Sequence, residues 1–215
     1  MTTNIDNSPL INLPFAGDTS TWALICHANA VTIEAHGPYQ RRTLRTRTTI
    51  LTSAGPLDIS LPTRTDDQHI YSQTRLNYDS PWEQRLVYAL RTAYNSTPYY
   101  ELYEPDIINI LNKHHELLWD FNLDLLNFIA SASGINADIS FTSTFSPPLP
   151  NQNDLRIAIE PKFAHLTHDL CRPVPYTQIF SQPYTQRPFT PNLSMLDLLF
   201  NMGPESRLVL KSMIP

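Results

Sequence analysis

Glycine is scarce, with five among 215 residues, and neither GxGxxG nor GxxxxGK[ST] occurs. That excludes the glycine-built phosphate loops of dinucleotide-binding folds and P-loop NTPases. Charge is scarce too, at 16% against a usual figure of about 25%. It leans acidic, with 15 Lys+Arg against 20 Asp+Glu and a net charge of −5, so a nucleic-acid partner is not expected. The two cysteines, Cys26 and Cys171, are far apart and form no CxxC, so no disulfide framework is expected. No apolar run approaches the roughly 18 residues that span a bilayer. The first residues lack the basic and apolar pattern of a secretory signal. A cytoplasmic protein with no membrane partner is the expectation. Neither a GxSxG elbow nor an HExxH helix is present.

What is abundant is proline, nineteen residues, within a chain that is 41% hydrophobic. A chain this long buries about 70% of its unfolded surface without help from metals or disulfides. One domain over residues 1–215 is expected, with 1–12 as a loose polar start. A helical stripe runs from Thr19 to Ala28, and Ala30 to Ala35 reads as a strand. Strands at Thr43–Leu51 and Leu57–Leu61 flank the turn Ser53-Ala54-Gly55-Pro56, a hairpin signal. His69 to Leu76 reads as extended. Ser80-Pro81-Trp82-Glu83 predicts a helix start with Ser80 as N-cap and Glu83 closing a capping box. Further helices are predicted from Glu104-Pro105 and from about His115 to Ser133, the latter capped by Gly134. Ala137–Thr142 returns to a strand. Six prolines between Pro161 and Pro191 predict loop, pinned down by Phe163, Tyr176, Phe180, Tyr184 and Phe189. Ser194–Phe200 and Glu205–Met213 close the chain as amphipathic segments. The class is α/β: a single mixed domain with an N-terminal strand-rich part, central helices and a proline-rich C-terminal segment.

The densest polar cluster runs from Glu34 to Arg47. If residues 41–47 form a strand, alternation puts Arg41, Thr43, Arg45 and Arg47 on one face. Such a row clamps phosphate or carboxylate through bidentate guanidinium donors. Glu34 and His36, just upstream, are the acid/base candidates. The competing account is that the arginines blunt an exposed edge strand. His165, His168, Asp169 and Cys171 have a spacing zinc could use but match no zinc module, and no metal or cofactor is expected. His114-His115 reads as a solvated junction between helices.

These residues resemble the WbqC-like proteins, especially their compact versions. Val31-Thr-Ile-Glu-Ala-His-Gly-Pro-Tyr-Gln-Arg-Arg-Thr-Leu-Arg-Thr-Arg47 is similar to V-x-I-E-x-H-x-x-Y-x-K-x-T-x-R-N-R. Ala93-Tyr-Asn-Ser-Thr-Pro-Tyr-Tyr-Glu-Leu-Tyr103 is similar to A-Y-N-S-T-P-F-F-E-Y-Y. Trp119-Asp-Phe-Asn122 follows, then Tyr176–Phe180 and Pro191–Pro204, in collinear order. The chain departs from the pattern at Asp18, where proline is usual, and at Thr46 within Arg45-Thr46-Arg47. It departs again at Leu86-Val87, where a histidine-tryptophan pair is typical. The resemblance implies a role in surface-polysaccharide or amino-sugar biosynthesis, as a group-transfer enzyme acting on an activated sugar or another small anion. Arg41, Arg45 and Arg47 would hold the anion, and Tyr39, Asn95 and Asn192 would add neutral hydrogen bonds. The alternative is a non-catalytic binding or accessory protein on a degenerate scaffold of the same kind.

Overall fold

The computed structural model describes residues 8–64, 70–148, 153–160 and 170–214. Two sheets and a layer of helices share one buried core, so the chain is mixed α/β. Strand β1 (Leu10–Asn12) lies parallel to β2 (Ala30–Glu34), and β2 lies parallel to β5 (Asp138–Phe141), giving the order β1-β2-β5. Parallel neighbours need a crossover, and helix α1 (Thr19–His27) supplies it between β1 and β2. Strands β3 (Arg47–Thr52) and β4 (Gly55–Ser60) form the expected antiparallel hairpin, with Thr52 opposite Gly55 across a two-residue turn.

Asp18, one of the departures from the resemblance, has a local purpose. Its carboxylate accepts a hydrogen bond from the Thr21 backbone N–H at 2.8 Å and caps α1. Burial pushes its pKa up, against the hydrogen bonding from Thr21.

Helices α2 (Trp82–Tyr94), α3 (Tyr100–Leu111) and α4 (Leu118–Ser133) form the central layer. Gly134 ends α4 in the left-handed region at φ 66°, with its N–H bonded to the Ala130 and Ser131 carbonyls, as the sequence predicts. Helices α5 (Met195–Met202) and α6 (Ser206–Ser212) complete the set among the described residues. Ser194 caps α5 through the Leu196 N–H. The largest fully buried side chains include Trp22, Tyr71, Tyr94, Tyr100, Phe15 and Phe200.

Several boundaries differ from expectation, each for a local reason. The loose start contains β1, because Leu10 bonds to Asn153 and Leu155 on one side while the strand pairs with β2 on the other. The run 70–76 is not extended throughout; a 3-10 turn at Tyr71–Gln73 sinks Tyr71 into the core. His69 lies outside the described residues. Ser80 does not cap α2: its carbonyl accepts from the Trp82 N–H at 2.8 Å, and Glu83 turns instead toward His114. Helix α3 starts four residues before Glu104 and keeps Pro105 inside. At that exposed second-turn position proline removes a single helical bond. Helix α4 starts later than His115 because Glu116 and Leu118 bond across to Leu76 and Thr74.

The described part of the proline-rich segment is irregular, as predicted. Tyr176 packs edge-on against Phe189 at 5.3 Å, but Tyr184 is exposed rather than packed. Phe163 lies outside the described residues.

Candidate functional site

The carboxyl ends of the parallel strands converge on one polar cluster. Asn12 ends β1 and Glu34 ends β2, and the two stand opposite each other in register. Thr142 follows β5 directly. On the outer side of β1, Asp154 forms a parallel bridge with Leu10, and Arg156 comes two residues later. In open parallel α/β sheets ligands bind beyond the carboxyl ends of the strands, and these four positions lie there.

Glu34 is 1% exposed. Its Oε2 accepts from Arg156 Nη1 at 2.9 Å. Its Oε1 accepts from the His36 backbone N–H at 2.8 Å and the Thr142 hydroxyl at 2.9 Å. Arg156 is also held in bidentate fashion by Asp154, at 2.8 and 2.6 Å, and donates to the Ser146 carbonyl at 2.8 Å. A Cβ at Gly37 would lie 3.1 Å from Glu34 Cγ, so glycine lets the chain turn tightly over the carboxylate.

Arg45 is buried beside this pair. Its Nη1 donates to the Pro38 carbonyl at 2.7 Å and its Nη2 to Asn12 Oδ1 at 2.5 Å. The guanidinium lies 4.9 Å from the centre of the Tyr71 ring. Burial lowers its pKa, opposed chiefly by Tyr71, Glu160 and Glu34. Its Nε has no hydrogen-bond partner among the described residues. Asn122 fixes the backbone, donating to the Arg45 carbonyl at 2.8 Å and to the Tyr71 hydroxyl at 2.7 Å. Glu160 accepts from the Leu44 N–H at 3.2 Å. Asn12, Glu34, Arg45 and Arg156 line a cleft of about 80 Å3, whose rim includes Gln40 and Phe145. That space suits a phosphate or carboxylate end rather than a whole sugar nucleotide.

The other residues singled out in the sequence lie elsewhere. Residues 41–46 are turns, not a strand: Arg42 has φ 61°, and the Thr46 and Arg47 N–H groups both bond to the Thr43 carbonyl. The arginine row is therefore broken. Arg41 is exposed, Arg45 is buried, and Arg47 enters β3 to pair with Asp58 at 3.5 Å. His36 is exposed and serves the cluster through its backbone. Tyr39 bonds to Thr63 at 2.8 Å. Asn95 is exposed at the end of α2, and Asn192 accepts from Ser20 at 2.7 Å near α1. None of these six lines the cleft.

Arg156, Asp154, Glu160 and Asn12 were not singled out by sequence reasoning. The available signal was an arginine and a glutamate inside the otherwise apolar run Leu155–Glu160. His165, His168 and Asp169 lie outside the described residues. Burial pushes the Cys171 thiol up to about 11, which makes it a poor nucleophile or ligand. Among the described residues no three His, Cys, Asp or Glu side chains gather as a metal ion would require. No helix among them is long and apolar enough to cross a membrane.

Fold and site together define a mixed α/β protein with a buried arginine–carboxylate cluster at the ends of its parallel strands. The pattern of the WbqC-like protein family matches residues 20–171, and the chain belongs to that family. No curated protein and no solved structure shows a match to the chain.

Proposed function

We propose that the cleft at the ends of β1 and β2 binds the anionic end of a small molecule, of the class of activated sugars. The setting we infer is group transfer in surface-polysaccharide or amino-sugar biosynthesis. The observation that carries the reading is two buried guanidinium groups, Arg45 and Arg156, lining one cleft. Guanidinium groups held in place beside a cleft are suited to phosphate or carboxylate oxygens through charge-assisted hydrogen bonds. When a sugar–phosphate bond breaks, fixed cationic donors stabilise the charge growing on the departing phosphate. Glu34 acts here as the group that positions Arg156, since both of its oxygens already accept bonds from the protein.

That same engagement favours a second reading, binding without turnover, because no other carboxylate or imidazole among the expected residues lines the cleft. Calorimetry with a uridine diphosphate sugar and with inorganic phosphate tests the site, using Arg45→Lys and Arg156→Lys variants checked for intact melting. Loss of tenfold or more in affinity, about 1.4 kcal/mol, is expected. Unchanged binding by folded variants sinks the assignment. Turnover of the bound sugar separates the enzyme from the accessory protein.

A further inference from the structure

The cleft that holds Arg45 and Arg156 has a floor and a mouth of opposite character. Its buried side chains are polar: Asn12, Glu34, Arg45 and Arg156. Its exposed lining residues are Pro38, Gln40, Phe145, Pro148 and Ile157, and all but Gln40 carry hydrocarbon side chains. Phe145 is 42% exposed and Ile157 44%, so two large apolar side chains left open to water flank this one opening. The mouth is built on the same frame as the floor. Arg45 Nη1 holds the Pro38 carbonyl at 2.7 Å, and Arg156 Nη1 holds the Ser146 carbonyl, next to Phe145, at 2.8 Å. Ile157 follows Arg156 directly. The Phe145 ring also rests over Gly37, where a Cβ would lie 3.6 Å from it. The hydrocarbon walls are therefore fixed relative to the guanidinium groups beneath them.

A ligand with its anion on the floor must leave past these walls. Hydroxyls on the first atoms beyond the anion would give up water against proline, phenylalanine and isoleucine. Only the Gln40 amide is there to replace it. A hydrocarbon stem suffers no such loss and gains by covering the walls. The floor limits the charge of the head as well. Arg156 is already matched by Glu34 and Asp154, which leaves Arg45, hydrogen-bonded only to neutral acceptors, to meet the ligand. One anionic group suits that floor better than a diphosphate. We infer that the cleft takes a single anionic head on a hydrocarbon stem, the chemistry shared by an isoprenyl phosphate and a fatty acid. This inference rests on the anion-binding reading and sharpens it. For an activated sugar it means a hydrocarbon-linked phosphate in place of a nucleoside diphosphate.

The test is calorimetry with hexyl phosphate, with glycerol phosphate, which puts the same head on a hydroxylated stem, and with inorganic phosphate. Hexyl phosphate should bind about tenfold tighter than glycerol phosphate. Phe145→Ala and Ile157→Ala, both at exposed positions, should narrow that ratio. Hexanoate separates the two sources: binding tighter than hexyl phosphate assigns the cleft to a fatty acid, and weaker binding to an isoprenyl phosphate. The inference is overturned if glycerol phosphate matches hexyl phosphate, or if the ratio survives unchanged in both variants. Hexanol lacks the head, and its binding as well as hexyl phosphate would overturn it too. Inorganic phosphate shows which reading has failed. If it binds, and loses affinity in Arg45→Lys, the anion-binding reading stands without this one; if no phosphate compound and no carboxylate binds, both fall.

Discussion

Two carboxylates of this protein are equally buried and are satisfied in opposite ways. Glu34, at the end of β2, is met by a guanidinium, which is itself shared with Asp154. Asp197, in the first turn of α5 and 1% exposed, is met by neutral donors only. The Tyr94 hydroxyl reaches Oδ2 and the Tyr176 hydroxyl reaches Oδ1, each at 2.7 Å. Burial raises the Asp197 pKa to about 6, and the two hydroxyls pull it back only in part. The hydroxyls are affected in turn: burial first, then the neighbouring Asp197 charge, raises both tyrosines well above their ordinary range. Charge pairing offsets buried charges against one another. Neutral donors suit a joint, and here Tyr94 of α2, Tyr176 of the proline-rich segment and the Leu51 N–H of β3 meet around α5.

The sharpest way to break the contrast is to remove the cation. Arg156→Met withdraws it from Glu34 and Asp154 while keeping an aliphatic stem. Because breaking a buried pair leaves uncompensated charge, a loss of roughly 3–5 kcal/mol is expected in urea unfolding. A loss below about 1 kcal/mol would show that the cluster behaves as an ordinary surface ion pair.

At Asp197 the contrast shows up as pH dependence. The folded pKa of about 6 lies above the unfolded value of 3.8. The folded state therefore binds more protons across that interval. The protonation-linked contribution is fully present below pH 3.8 and is lost as pH rises through about 6. Its span is about 3 kcal/mol, at 1.36 kcal/mol for each pH unit. Asp197→Asn removes this titration. The stability difference between wild type and variant, followed by chemical unfolding from pH 4 to 7, should shift by that amount against the wild type. A difference that stays flat with pH contradicts the raised pKa.

How much of this was legible in the sequence depends on how local each feature is. The β3–β4 hairpin and the Gly134 cap follow from short-range pattern and from glycine's tolerance of positive φ, and both were readable. Strand β1 is three residues long and exists through its pairing, so no periodicity announces it. The arginine row failed because alternation assumes extended backbone, and one left-handed residue, Arg42, breaks the register of all that follows. Glu34 and Arg45 were singled out because they sit in one dense segment. Arg156 was not, because it meets Glu34 across 122 positions of chain. Asp197 likewise finds Tyr94 and Tyr176 from two other parts of the sequence.

A third carboxylate refines the comparison at the smallest scale. Asp18 is met by no cation but by Thr21, above all by its backbone N–H at the start of α1. That bond is a cap, and what it requires is an acceptor oxygen rather than a charge. Asp18→Asn keeps the oxygen and removes the charge that burial penalises, so thermal unfolding should move little. Asp18→Ala removes the oxygen and should cost about 1 kcal/mol. If Asn proves as damaging as Ala, the negative charge itself is being used at α1. Asp18 would then belong with Glu34 rather than with the neutral solution seen at Asp197.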